Sequence, residues 1–330
     1  MTAHANDSAE NEIPPHKLSS QSHFDYRPHA ALLAVQIFFG TWPIIGKIAL
    51  ASLPSTGLVF FRVCGATLAF VLLRWKVKKV SITRHSDYAR LALYSLLGVV
   101  LNQFLFVKGL ALSTAINATL LGTAIPIFTL LVSLALGYER LSPRKALSIV
   151  LAAAGVIYLI DPSRADFSGA TTLGNLLLVM NAIAYGAYIA ISQDLIKRYG
   201  ALTVITWIFI FGCLAAAPVG GYYLAQTPLR NISVGVWLSV LYIILVPTVG
   251  AYYLNAWGLG RVAPSTVATY IYLQPLIAFA LAPLVLGEDW NRRILVAALL
   301  IFAGVAIATR QGTKSRAMEE VSAHPEALGH

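Results

Sequence analysis

The chain has 330 residues, of which 58% are hydrophobic and only 12% are charged, and its mean hydropathy is +0.72. Soluble domains carry about twice that share of charged residues, because their exterior must face water. The composition therefore excludes a soluble globular protein and indicates a membrane protein with many spans. The net charge of +10 does not indicate nucleic-acid binding, because the basic residues lie in short segments between apolar blocks.

Apolar blocks follow one another along the chain, and most are long enough to form a membrane-spanning helix. The segments of about ten residues with alternating polarity that form a membrane β-barrel are absent. The predicted helices are Ala30–Ala51, Gly57–Leu73, Tyr88–Leu110, Ala115–Gly137, Ala146–Ile160, Leu173–Ile196, Leu202–Leu224, Val234–Gly258, Pro264–Gly287 and Ile294–Thr309. Cys64 and Cys213 both lie inside these blocks, so a disulfide framework is not expected.

The charged loops predict the orientation of these ten helices. With the N-terminus in the cytoplasm, the inner loops hold twelve Lys and Arg residues and the outer loops hold four. The positive-inside rule then predicts that both termini lie in the cytoplasm. Residues 1–29 and 310–330 are polar and have no apolar stripe, so they are predicted to be disordered tails.

The two halves of the sequence match at a fixed offset of 149 residues, which pairs Pro126 with Pro275. The first unit, residues 30–160, and the second unit, residues 161–309, each contain five predicted helices. Because five is odd, the second unit enters the membrane upside down. The predicted fold is therefore an all-α polytopic membrane protein made of two inverted five-helix repeats. This architecture is typical of secondary transporters that rock around a site at the bilayer midplane.

Several sequence stretches carry a resemblance to a known family. The first half contains GTWPIIGKIAL, LGYERLSPRKAL and AAGVIYLI, and the second contains YYLNAWGLGRVAPSTVATYIYLQPLIAFALAPLVLGEDW and FAGVAIA. Over residues 30–309 the chain resembles the drug/metabolite transporter superfamily, in the form with two EamA domains. The resemblance implies a ten-helix inner-membrane carrier that works by alternating access and often exports amino acids, other metabolites or toxic compounds. Lys47 and Arg62 match the family's first-helix lysine and second-helix arginine.

Three basic side chains lie inside predicted spans, and ionisable residues in a bilayer are functional candidates because burying a charge is costly. Lys47, Arg62 and Lys108 together predict an outward-facing positive cluster that attracts a carboxylate or phosphate group of the substrate. In the alternative, the long side chains reach the outer headgroups. For Arg62 a third interpretation is that it bridges backbone carbonyls and holds the first two helices together.

Uncharged polar residues and prolines near mid-span form a second set of candidates. Asn102, Asn117 and Gln274 must face a wet cavity or a neighbouring helix, so substrate contact and interhelical hydrogen bonding are both open. Pro126 and Pro275 interrupt the fourth and ninth helices at corresponding positions. Such a pair is the best sequence indicator of a transporter's binding site, and kinks for packing are the alternative.

Aromatic residues inside the spans complete the candidate pathway. Trp42 and Tyr188 lie too deep for the headgroup belt, so they either pack internally or line the path. Tyr252 and Tyr270 are also inside spans. A cavity with aromatic walls suits amphipathic metabolites.

The sequence thus favours a secondary transporter that exports a small metabolite: an amino acid, an aromatic compound or an anion. Because a P-loop signature is absent, ATP-driven transport by this chain is excluded. The resemblance implies protons as the candidate coupling ion, through Glu139 or Glu288; uniport, and a structural role for both glutamates at helix ends, are the alternatives. The bilayer and the metabolite are the predicted partners, with no catalytic residue, metal or cofactor. The competing classes are an integral-membrane transferase, whose acid or metal-ligand sets are missing, and a membrane sensor without transport.

Overall fold

The computed structural model describes residues 25–77, 80–113, 118, 121–160, 169–277, 296 and 299–307. All regular elements within these residues are helical. The helices are α1 (Arg27–Leu50), α2 (Ser55–Trp75), α3 (His85–Leu112), α4 (Ile125–Ala135), α5 (Pro143–Ile160), α6 (Gly169–Tyr199), α7 (Ala201–Ala225), α8 (Val234–Leu259) and α9 (Pro264–Thr269). Residues 299–307 are also helical. Most of both predicted tails, together with Glu288, lies outside the described residues.

Six of these helices, namely α1, α2, α3, α6, α7 and α8, are long and apolar enough to cross a bilayer. Large apolar side chains stand exposed on their outer surfaces, for example Leu68, Leu214 and Leu238. An apolar surface of this extent is unfavourable in water and favourable against lipid tails. The chain is therefore a multi-pass membrane protein, and the count of ten helices stays a prediction.

Seven of the helices, α1 to α3 and α5 to α8, are longer than the apolar blocks that predicted them. Helix α1 begins at Arg27 rather than at Ala30, and α5 begins at Pro143 rather than at Ala146. With 18 residues, α5 is about 27 Å long, which is close to the thickness of the hydrocarbon core. Apolar blocks end where hydrocarbon ends, whereas a helix continues through the headgroup region, where water and lipid satisfy its polar side chains.

Helices α3 and α8 each contain a π-helical turn, at Leu96–Leu101 and at Leu245–Gly250. The two turns are 149 residues apart, the same separation as the sequence repeat. In α8 the cause is Pro247, which has no N–H to donate to the carbonyl of Ile243. The hydroxyl of Thr248 donates to that carbonyl instead, at 2.6 Å. The backbone thus accommodates one extra residue per turn without leaving a buried acceptor unpaired.

In α3 the corresponding position is Gly98, and it allows a close approach between helices. The ring of Tyr188 from α6 lies so near that a β-carbon on residue 98 would come within 2.6 Å of it. Only glycine fits at this contact. Elsewhere, α2 packs along α7, where the thiol of Cys213 donates to the sulfur of Cys64 at 2.9 Å. Both cysteines are free thiols.

Candidate functional site

A cavity of about 80 Å³ lies at the centre of the helices, with room for several water molecules. Helices α1, α2, α3, α6 and α8 contribute to its wall, together with residues of the fourth and ninth spans. The residues that line it are Phe39, Gly40, Trp42, Pro43, Arg62, Asn102, Gln103, Phe106, Ala118, Gly122, Thr123, Ile125, Leu178, Asn181, Tyr185, Tyr252, Ile271, Gln274 and Pro275.

Arg62 is the one charged side chain in the wall that these residues form. Arg62 is only 2% exposed. The guanidinium carbon lies 4.0 Å from the centre of the Trp42 ring, and Nε donates to the hydroxyl of Thr248 at 3.1 Å. Among the described residues, no carboxylate forms an ion pair with it. A buried positive charge is thus held by an aromatic face and a neutral hydroxyl, which leaves it able to attract an anion.

The hydroxyl of Tyr252 is the centre of a polar network in the cavity wall. It accepts a hydrogen bond from Gln103 Nε2 and donates to Asn102 Oδ1, both at 2.7 Å. The carbonyl of Gly98 in the π turn of α3 is a further acceptor at 3.3 Å. Asn181 Nδ2 from α6 donates to the carbonyl of Asn102 at 2.8 Å. The network therefore joins α3, α6 and α8 around the cavity.

Gln274, a predicted site residue, also lines the cavity. Its side-chain nitrogen donates to Gln36 Oε1 at 2.8 Å, and Gln36 in turn donates to the carbonyl of Leu32 at 3.2 Å. Sequence reasoning missed Gln36, although the criterion that selected Asn102, an amide inside an apolar span, selects it equally. The pair joins α1 to the helical segment that follows α9.

Three prolines lie in the spans that surround the cavity, and the residues four positions before them, Phe39, Gly122 and Ile271, all line it. Of the three prolines, Pro43 lies inside a continuous helix, α1. A proline cannot donate to the carbonyl four residues before it, so the carbonyl of Phe39 lacks its usual helical partner. The cavity wall therefore contains a candidate hydrogen-bond acceptor as well as one cation.

The fourth span differs from the continuous helix that the sequence predicted. A turn at residues 123–124 breaks it, and Pro126 lies in the first turn of α4, where a proline costs no hydrogen bond. Pro126 is buried but does not line the cavity. Before Pro275 the backbone similarly tightens into a 3₁₀ turn at Tyr270–Tyr272. Both prolines thus follow a local break in their helices.

Other predicted site residues lie away from the cavity wall. Lys47 Nζ donates to the carbonyls of Leu110 at 2.8 Å and Ser113 at 3.2 Å, and it thereby caps the end of α3. Lys108 is exposed on the same helix. Of the three basic residues predicted to form a positive cluster, only Arg62 lines the cavity.

The remaining aromatic candidates, Tyr188 and Tyr270, lie at different places in the fold. Tyr188 is buried between the π turn of α3 and the ring of Tyr185, which itself lines the cavity. The hydroxyl of Tyr270 lies 2.8 Å from Nδ1 of His29 and so joins the end of α9 to the start of α1. Asn117 lies outside the described residues.

An ionic network, which the sequence reasoning did not predict, joins α3 and α6 at the end where α3 begins. Asp87 is buried and accepts hydrogen bonds from Arg198 Nη1 at 3.0 Å and from the hydroxyl of Tyr199 at 2.7 Å. One turn along α3, Arg90 forms an ion pair with Asp194 of α6. This end of the structure is therefore closed by paired charges from both halves of the chain.

Glu139 makes a second contact between the halves at the same end. Its carboxylate accepts from the backbone N–H of Ser265 at 3.0 Å and from the Ser265 hydroxyl at 2.6 Å. Lys145 Nζ donates to the same carboxylate at 2.6 Å. The carboxylate thus caps the N-terminus of α9, where a negative charge is favourable. Within the described part of the chain, no cluster of His, Cys, Asp or Glu residues could hold a metal ion.

Comparison with known proteins agrees with this architecture. The sequence model of the EamA-like transporter family matches residues 28–160 and 172–310. An uncharacterised transporter of Archaeoglobus fulgidus is 25% identical over 279 residues, which cover 84% of this chain and 95% of that protein. A WAT1-related protein of Arabidopsis thaliana is 23% identical over 332 residues, which cover 90% of this chain and 86% of that protein. A crystal structure with 19% identity shares the fold with a TM-score of 0.69, covering 86% of this chain and 98% of that one.

Proposed function

Because the chain belongs to the EamA-like transporter family, we propose that it is a secondary carrier for a small amphipathic metabolite with a carboxylate group. An amino acid with an aromatic or large apolar side chain has this chemistry. We propose export across a bacterial-type inner membrane, the direction and location that the family resemblance implies, with both termini in the cytoplasm. The twelve-to-four distribution of basic residues between loops supports the orientation.

The observation that carries the substrate class is the environment of Arg62. A buried guanidinium without an acidic partner among the described residues gains most from a ligand carboxylate, which it can bind through two parallel hydrogen bonds. Trp42, Phe106 and Tyr185 supply aromatic surface for the apolar body of the ligand. The carbonyl of Phe39, which Pro43 leaves without its helical donor, is the proposed acceptor for an ammonium group.

We further propose that residues 30–160 and 161–309 form inverted repeats related by an axis between α2 and α7. Residues near such an axis meet their own equivalents, 149 positions away in this chain. Two contacts have that separation: Cys64 with Cys213, and Gln103 with Tyr252. The separation of the two π turns supports the same relation.

The π turns are the proposed hinges of alternating access. Each is held by a polar side chain from the other half of the chain: Arg62 donates to Thr248 in the second turn, and the Tyr252 hydroxyl lies 3.3 Å from the Gly98 carbonyl in the first. A substrate that binds Arg62 and Tyr252 competes for both contacts. Binding therefore favours rearrangement of the two turns, because it changes the relative stability of the two conformations.

Opening towards the end where α3 begins requires the charged contacts between Asp87, Asp194 and their arginines to separate. Protons are the candidate coupling ion, and Glu139 is the carboxylate on which they would act. Protonation of Glu139 weakens its interaction with Lys145 and with the N-terminus of α9, and this loosens a contact between the halves.

Efflux from proteoliposomes tests the proposed function. We expect saturable efflux of phenylalanine, and we expect Arg62→Gln to reduce it at least tenfold, because a charge-assisted hydrogen bond contributes about 1.5–3 kcal/mol. Efflux of phenethylamine, which lacks the carboxylate, should fall only slightly in the same variant. Arg230→Gln removes an exposed arginine outside the cavity and serves as the control. An equal reduction of efflux for both compounds would mean that Arg62 supports the fold rather than binding the carboxylate. The absence of saturable flux for any metabolite would favour a sensor.

A further inference from the structure

A second cavity, of about 500 Å³, opens at the end of the molecule where α2, α6 and α8 terminate. It shares no residue with the central cavity. The residues that line it are Arg74, Val77, Val80, Ile196, Lys197, Tyr199, Gly200, Ala201, Leu202, Thr203, Tyr253, Trp257, Gly260 and Arg261. The transport cycle proposed above does not use this cavity, so its composition needs a separate explanation.

Three basic side chains from three helices converge on the second cavity. Arg74 lies in the last turn of α2, Lys197 lies in the last turn of α6, and Arg261 follows α8. Nε of Arg74 is buried and has no hydrogen-bond partner among the described residues, while its Nη2 donates to the carbonyl of Val80 at 3.0 Å. The guanidinium of Arg261 lies 3.8 Å from the ring centre of Trp257. Lys197 and Arg261 are exposed. Arg261 Nη1 also donates to the carbonyl of Trp257 at 2.9 Å, which leaves its other N–H groups for a ligand.

No acidic side chain balances these three cations within the described residues. The cavity lining contains no Asp or Glu. The acidic residues of the adjacent helices, Asp87 and Asp194, are already paired with Arg198 and Arg90. The cavity is therefore a concentration of positive charge at a helix-terminal surface.

The cavity also lies at the depth of the lipid headgroups. Tyr199, Tyr253 and Trp257 line it, and tyrosine and tryptophan mark the interface between hydrocarbon and water. Helix α7 begins at its edge after Gly200, which has φ of 80° and no side chain to cap the first backbone N–H groups. Those N–H groups add to the attraction that the basic side chains exert on an anion.

We propose that this cavity binds a phosphate-bearing ligand, held by Arg74, Lys197 and Arg261. A phosphate group accepts hydrogen bonds from several basic side chains at once, and basic pockets between helices at a membrane surface hold anionic headgroups. The ligand's source is either an anionic phospholipid of the surrounding bilayer or soluble phosphate. This inference does not depend on the transported substrate, because the two cavities have no residue in common.

Native mass spectrometry of the full chain with added phosphatidylglycerol or phosphatidylcholine tests the proposal. We expect one tightly bound phosphatidylglycerol and much weaker retention of phosphatidylcholine. The variant Lys197→Gln/Arg261→Gln changes exposed residues and should bind phosphatidylglycerol about 25-fold more weakly, about fivefold for each cation removed. The control Lys108→Gln/Arg230→Gln removes the same charge from exposed positions outside the cavity and should bind normally.

Competition distinguishes the two sources of phosphate. If inorganic phosphate displaces phosphatidylglycerol at millimolar concentration, and the cavity variant shows the same loss of phosphate binding, the site is open to soluble phosphate. If phosphate fails to compete, the site requires the lipid headgroup. Equal retention of phosphatidylglycerol by the wild type and the cavity variant, with no effect of inorganic phosphate on either, would overturn the proposal. The melting temperature of each variant serves as the check on folding.

Discussion

Tyr252→Phe removes a hydroxyl on which the polar wall of the central cavity depends. The hydroxyl contacts Gln103, Asn102 and the Gly98 carbonyl at 2.7, 2.7 and 3.3 Å. Hydrogen bonds between helices in a bilayer contribute about 0.6 kcal/mol each, so the loss is about 2 kcal/mol. For a chain of this size that corresponds to a melting temperature lower by about 3 °C.

The assay is thermal unfolding of the purified protein in detergent, followed by intrinsic fluorescence, with flux measured in parallel. Tyr253→Phe is a matched control, because that tyrosine is adjacent in sequence but lines the second cavity instead. We expect Tyr253→Phe to melt within about 1 °C of the wild type. If Tyr252→Phe also melted within that margin and transported normally, the network around Tyr252 would stabilise neither the fold nor the transport cycle, and the reasoning would be refuted.

Two further predictions concern contacts between helices. Gly98→Ala places a methyl group within 2.6 Å of the packed tyrosine ring, so we expect the free energy of unfolding to fall by about 1–3 kcal/mol and efflux to be slower. Gly235→Ala is the control, because its methyl group meets only one atom, at 3.9 Å, and it should change neither stability nor efflux. Copper phenanthroline in air should oxidise Cys64 and Cys213 to a disulfide, because their sulfurs are 2.9 Å apart. The number of thiols that react with maleimide under denaturing conditions should fall from two to none and return after reduction, whereas two persistent thiols would contradict the contact between α2 and α7.

The membrane character of the chain could be predicted because it depends on sums over long windows. An apolar block of about 20 residues predicts a span whatever the details of its packing. The same property hides the π turns, because one extra residue at Leu96–Leu101 leaves the composition of the window unchanged. A proline such as Pro247 indicates a break in a helix, but the Thr248 hydroxyl that compensates it can be identified only from the backbone geometry.

The sequence selects residue types for the candidate site but does not give their orientation. Arg62 is a candidate because a charge is costly in hydrocarbon, and Trp42 because it lies too deep for the headgroup belt; both line the cavity. Lys47 met the same criterion, yet it caps a neighbouring helix, because rotation about the helix axis decides what a side chain reaches. Asp87 and Asp194 were passed over because they lie near span ends, where sequence alone gives no sign that they pair across the halves.

The central claim is that the cavity between the halves opens alternately to the two sides of the membrane. Its most direct test is labelling of Asn181→Cys in the cavity wall, in a Cys64→Ala/Cys213→Ala background, with a membrane-impermeant thiol reagent added to right-side-out or inside-out vesicles. We predict modification from both sides, with a transported substrate slowing both reactions. Modification from one side only, unchanged by any substrate, would contradict alternating access.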